Sequence, residues 1–177
     1  MKLTGRGGKD VAQIDPARLL GPALVLDVTA EAAADPDFLL DVHHIRAWEA
    51  KHGPLPDGGW LLVRTGWDNR SHDREQFLNK DEHGNPHSPG FTVEYARWIA
   101  EESPLSGIGV ETVGSDAGLA GGQKHPLPAH HFLLGNDRYG IPLQNLAQLP
   151  PGRSSPDRGT VADRRRNRQP DAGARPG

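Results

Sequence analysis

Cysteine is absent from the 177 residues, which excludes a disulfide framework and any thiolate chemistry. No apolar run approaches the roughly 20 residues that a bilayer span requires. The opening Met-Lys-Leu-Thr-Gly-Arg-Gly-Gly lacks the apolar stretch of a secretory signal. Neither sign of charge dominates, with 20 basic and 23 acidic side chains and a net charge of −3. Composition therefore points to neither a nucleic acid nor an anionic membrane as partner, and the cytoplasm is the default address. The motifs of several large enzyme classes are missing too: HExxH, the P-loop, GxGxxG and the Gly-x-Ser-x-Gly elbow. Gly118-Leu-Ala-Gly-Gly is too short and irregular to cradle a phosphate.

The chain is poor in hydrophobic residues (35%) and rich in glycine (22) and proline (16). Its length suits one domain, and its composition suits a loop-rich one with some unstructured sequence attached. Ala23-Leu-Val-Leu-Asp-Val-Thr29 is short, apolar and β-branched, the pattern of a buried strand. Asp41 precedes Val42, Ile45, Trp48 and Ala50, so a helix is expected with Asp41 as its N-cap and Gly53 as its stop. Trp60 to Trp67 and Ile108 to Val113 read as further strands. Thr92 caps a helix from Val93 to Glu102, with Tyr95, Ala96, Ile99 and Ala100 on one face. Pro128 to Leu134 reads as a short helix begun by proline, and Ile141 to Leu143 as a short strand. Strands alternating with helices define an α/β domain, here residues 1–151.

Residues 68–90 carry no usable period and read as a long surface excursion, with His72, His83 and His87 exposed. From Gly152 to Gly177 the character changes to seven Arg, three Asp, no aromatic and a single large aliphatic, Val161. Such a segment cannot offset its chain entropy by burial and is expected to be disordered. A basic arm for nucleic acid is the competing reading of this tail, which its interspersed Asp and lack of aromatics disfavour.

Nine histidines are present, and His125, His130 and His131 fall close together. On one helix His130 and His131 diverge by about 100°, so a single metal takes at most one of them; both could equally be surface residues. Asp116, in the turn after the third strand, sits where α/β proteins place functional carboxylates, and an ordinary turn or helix-cap aspartate reads the same way. Gln144 and Asn145 end a strand that could reach the same pocket. His43 and His44 read as solvated residues at a helix start.

Six segments, in order, resemble the cyclase/kynurenine formamidase family, which includes isatin hydrolases. They are Gly21-Pro-Ala-Leu-Val-Leu-Asp-Val, the strand ending Arg64-Thr-Gly-Trp, His87-Ser-Pro-Gly-Phe, Gly107-Ile-Gly-Val-Glu-Thr-Val-Gly-Ser-Asp, Pro128-Ala-His-His-Phe-Leu-Leu-Gly and Gln144-Asn-Leu-Ala-Gln-Leu-Pro-Pro. The resemblance implies a swivelling β/β/α domain, usually dimeric, that hydrolyses amide-type C–N bonds at a Zn or Mn centre. There a metal-bound water attacks the carbonyl that the metal polarises. It maps the downstream metal ligands onto His130, preferred over His131 because the family pattern aligns on Ala129-His130, and onto Gln144. By their chemistry Trp60 and Trp67 could line an aromatic pocket, although buried strand tryptophans are more often core. Trp67 and His131 are the substrate-pocket candidates, and Asp116 is a candidate catalytic residue. Gln replaces the family's Glu, as in the isatin hydrolase branch, and Arg138-Tyr139 lengthens the interval between the two ligands.

The family's His-x-Gly-Thr-His-x-Asp-x-Pro motif, source of the other ligands and succeeded by the acid/base His, does not occur. The Thr4 to Ile14 segment resembles the stretch just downstream of that motif in the family, so the fold is expected to be incomplete at both ends. At the back, one codon assignment of Asp163 to Pro170, shifted by one base, reads Ile-Val-Gly-Gly-Thr-Gly-Ser-Pro, the family's closing turn; the tail is expected to be a frameshifted reading of the final strands. The expected substrate is a small aromatic amide or lactam such as N-formylkynurenine or isatin. The alternative is a non-catalytic remnant or interaction domain of the same fold.

Overall fold

The computed structural model describes residues 11–150 and 152–154. Ala23–Asp27 forms β1, Trp60–Arg64 β3, Gly107–Val110 β5 and Tyr139–Pro142 β6. Between them lie α1 (Thr29–Ala34), β2 (Leu39–Leu40), α2 (Val42–His52), α3 (Arg74–Leu78), β4 (Gly90–Phe91), α4 (Val93–Glu101) and α5 (Pro128–Gly135). The last strand among the described residues, β7, spans Gly152–Ser154. The main sheet has the order β6-β5-β3-β1-β7, and β2 pairs with β4 in a separate two-stranded ribbon. The pairs β1–β3, β3–β5 and β5–β6 are all parallel, so the carboxyl ends of four strands share one edge. This is the mixed α/β architecture that the alternation of elements implies.

Alternation along the strands divides the apolar side chains between two faces. Leu24 and Leu26 of β1 and Leu61 and Val63 of β3 join Ile45, Trp48, Tyr95, Ile99, Phe132 and Leu133 in the larger core, beneath α2, α4 and α5. Val25, Trp60 and Leu62 turn to the opposite face and pack with Leu146 and, at the edge, Tyr139, Ile141 and Leu143. Helix α4 presents Tyr95, Ala96, Ile99 and Ala100 to the core, as its spacing predicts, and Thr92 caps it by accepting from Tyr95 N. Helix α2 starts on Asp41 and stops at Gly53, whose φ of 88° is left-handed territory. His44 is not merely solvated: its Nδ1 lies 2.7 Å from Asp41 Oδ1 and completes a capping box. Ala50 is exposed, not part of the buried face.

Two expectations change. The excursion after Trp67 is structured: it contains α3, a Lys80–Pro86 bridge and β4. The expected disordered tail starts too early, because β7 runs antiparallel to β1, with Val25 opposite Gly152. Edge pairing is made by backbone groups, so a segment without apolar side chains can still complete a sheet. The remainder of that tail, like residues 1–10 ahead of the first turns, lies outside the described residues.

Candidate active site

The shared carboxyl edge of the parallel strands is where α/β folds bind ligands, because the chain leaves each strand there and the loops diverge. Here that edge is organised by Glu111, the residue after β5, 2% exposed. Its Oε2 accepts from Thr65 N and Gly66 N, both at 2.8 Å, and its Oε1 accepts from Leu146 N at 3.1 Å. One carboxylate thus fastens the exit of β3 and the turn after β6 to the end of β5. Gly66 holds φ 69°, a conformation that an L side chain resists. Sequence patterns place Glu111 within a strand and give it no role, since its partners are backbone amides far away along the chain.

The loop beyond Glu111 delivers Asp116, 8% exposed. Helix α5 begins after Leu127, which has a positive φ and no side-chain oxygen with which to cap it. Asp116 supplies that cap from across the chain: Oδ1 accepts from Ala129 N at 2.6 Å and Oδ2 from His130 N at 3.2 Å. The same Oδ2 lies 2.5 Å from His130 Nδ1. A carboxylate offers only acceptors, so Nδ1 carries a proton, and in the neutral ring Nε2 keeps its lone pair. Both readings of Asp116 therefore hold at once, helix cap and partner of a histidine.

His130 opens into a hollow of about 270 Å³ lined also by Leu78, Lys80, Pro86, Ser88, Val113 and Leu127. Gln144, exposed just beyond β6, lines a neighbouring hollow of about 490 Å³ with Phe77, Glu111 and Pro142. Val113 borders both, so the two expected metal donors face adjacent spaces. The other assignments fare differently. Trp67 is 2% exposed and lines neither hollow. Its Nε1 donates to Phe77 O at 3.0 Å, so it backs the wall that Phe77 forms. His131 packs on His125, ring centroids 4.5 Å apart, and on Phe132, and it too lines neither hollow. His87, expected to be exposed, is half-buried with Nδ1 2.7 Å from Asp37 Oδ2. Its partner lies 50 positions away, beyond the reach of any local pattern.

His130 and Gln144 amount to two neutral donors, and among the described residues no group of three or more His, Cys, Asp or Glu could hold a metal ion. A zinc or manganese centre needs three or four ligands, so the described residues alone do not make one. No helix among them is long and apolar enough to cross a membrane.

A largely parallel α/β sheet with a carboxylate–histidine pair at its carboxyl edge defines an α/β class of protein with polar groups gathered where such folds bind ligands. Comparison gives the particular family: residues 3–117 match the family model described as "Putative cyclase", and the chain belongs to that family. It is 44% identical over 149 residues to the isatin hydrolase of Roseibium aggregatum, covering 81% of this chain and 56% of that protein. A crystal structure of an isatin hydrolase bound to the product analogue thioisatinate superposes with a TM-score of 0.74 at 44% identity, over 77% of this chain and 52% of that one. Isatin hydrolase A from Ralstonia solanacearum gives a TM-score of 0.78 at 40% identity, over 84% and 56%. The chain thus spans about half the length of the relatives it matches.

Proposed function

We propose that this chain is part of a hydrolase of amide-type C–N bonds, acting on a small aromatic lactam of the isatin kind or on an arylformamide. The observation that carries this reading is the Asp116–His130 pair opening into a hollow at the carboxyl edge, in a chain 44% identical to an isatin hydrolase. Asp116 fixes the imidazole's orientation and tautomer and increases the donor strength of Nε2. In this reading His130 Nε2 and the Gln144 carbonyl oxygen are the two donors that the described residues contribute to a Mn or Zn site. Leu78, Val113, Pro86 and Leu127 give the hollow apolar walls suited to an aromatic ring. In this reading the protein works in the cytoplasm as a homodimer.

The shortfall of donors favours a second reading, a family member that keeps the fold without turnover. One experiment separates the two: the purified full chain is assayed with isatin and N-formylkynurenine while Mn²⁺ or Zn²⁺ is titrated in, and bound metal is counted. The hydrolase reading expects weakly held metal and metal-dependent turnover that falls roughly 10–100-fold in D116N and further in H130A. A chain that retains no metal and turns over neither substrate is the non-catalytic one.

A further inference from the structure

We propose that His87 is a positioning residue, a bridge between Asp37 and Asp81 that holds residues 79–88 in place as one wall of the hollow beside His130. The inference rests on the reading of that hollow as the reaction site.

Residues 79–87 form a self-contained hairpin. Asp81 Oδ1 accepts from His83 N and Asn85 N at 2.9 and 2.8 Å, and its Oδ2 accepts from Asn85 Nδ2 at 2.9 Å. Asn79 and His87 close the two ends, with His87 N donating to Asn79 O at 3.0 Å and Asn79 Nδ2 to His87 O at 2.9 Å. A unit satisfied internally can swing as a body, so its position depends on the ties to its surroundings. On one side, Gly118 N donates to Ser88 O at 3.0 Å, and a Cβ on Gly118 would lie 2.3 Å from Pro86 O. On the other side the tie is the His87 ring, 2.7 Å from Asp37 Oδ2 on the α1–β2 link. Its Nε2 lies 3.6 Å from Asp81 Oδ2. Among the described residues Asp37 Oδ1 is buried without a partner, and His87 is the side chain that meets the carboxylate's other oxygen. Lys80, Pro86 and Ser88, all on or next to this hairpin, line the His130 hollow.

The charged groups facing the ring are Asp37, from the α1–β2 link, and Asp81, from the hairpin itself. The Asp37 hydrogen bond foremost, then its charge and that of Asp81, raises the His87 pKa above the ordinary histidine value. The cation hydrogen-bonds Asp37 through Nδ1 and attracts the Asp81 carboxylate, 3.6 Å from Nε2, by charge, whereas the neutral ring keeps only the Asp37 bond. With the folded-state value raised, the charge-dependent part of the tie is fully present below the ordinary histidine pKa and is lost as pH rises through the folded one, leaving a single hydrogen bond from the neutral ring to Asp37.

The test uses the full chain with ¹³C-labelled histidine and ¹⁵N backbone, without metal or substrate. Expected are a His87 titration above the ordinary value, lowered in D37N and in D81N, and Ser88 and Gly118 amide shifts that follow it. Amide protection factors over 79–88 should fall about tenfold or more in H87Q, with α4 and the main sheet unchanged and the pH dependence of the Ser88 and Gly118 shifts abolished. An ordinary His87 titration insensitive to D37N, or unaltered protection over 79–88 in H87Q, overturns the proposal. Where the chain hydrolyses isatin, H87Q should raise KM severalfold with a smaller change in kcat, and remove a limb from the pH profile of kcat/KM. An unchanged KM and profile in H87Q overturns the positioning role even with the hairpin loosened. Absence of turnover in the wild type counts against the hydrolase reading alone, because the NMR arm decides the bridge without it.

Discussion

Replacing Glu111 by glutamine probes the carboxylate that gathers the strand ends. Two oxygens there serve three amides, Thr65 N and Gly66 N on one and Leu146 N on the other. Glutamine keeps a single oxygen, which satisfies most donors by facing Thr65 and Gly66. Its NH2 then points at the Leu146 N–H, donor against donor. Loss of one charge-assisted bond costs about 1.5–3 kcal/mol, and demotion of two others from charged to neutral about 1 kcal/mol each. Removing a buried charge returns part of its desolvation cost, so the net loss is about 2–4 kcal/mol. Urea unfolding followed by tryptophan fluorescence reads this as a midpoint lowered by roughly 1–2 M for an m-value of about 2 kcal/mol/M. Hydrogen exchange should quicken first at Leu146, the amide left unpaired. A variant within about 0.5 kcal/mol of the wild type, or one whose exchange changes first elsewhere, refutes the reasoning.

Two further substitutions test the frame around the site. Arg138 donates to Leu105 O at 2.6 Å, Ser103 O at 3.1 Å and Ala100 O at 3.4 Å, closing the end of α4 and the turn after it; R138M keeps the aliphatic stem and should cost about 1–3 kcal/mol in the same urea assay. Gly90 admits no side chain, since a Cβ would lie 2.2 Å from Ala117 N; G90A should cost about 3 kcal/mol or more and shift the NMR signals of the adjoining Asp116–His130 pair.

Much of the frame can be read from the sequence because its determinants are local. Asp41, Gly53 and Thr92 mark helix ends through contacts a few residues away, and the runs at Ala23, Trp60 and Ile108 are short, apolar and β-branched. The site is less legible because its determinants are contacts between distant segments. His130 is found through a motif, but Asp116 reaches it across a 14-residue separation and Glu111 reaches Leu146 across 35. Trp67 looks like a pocket residue by its chemistry and is instead consumed by packing, its N–H spent on Phe77. β7 escapes notice for the opposite reason: it is held by main-chain pairing, to which composition is blind.

The placement of β7 also bears on how the chain emerges during synthesis. Among the described residues β1 is the first strand made, and its inner neighbour β3 is made within the same half of the chain. Its outer neighbour is the last strand among the described residues, 152–154. Until those residues leave the ribosome, the flank of β1 at Ala23–Val25 offers unpaired main-chain groups to any passing extended segment. A nascent chain halted before residue 152 should therefore be a better chaperone client than one halted just after 154, although the two differ by only a few residues.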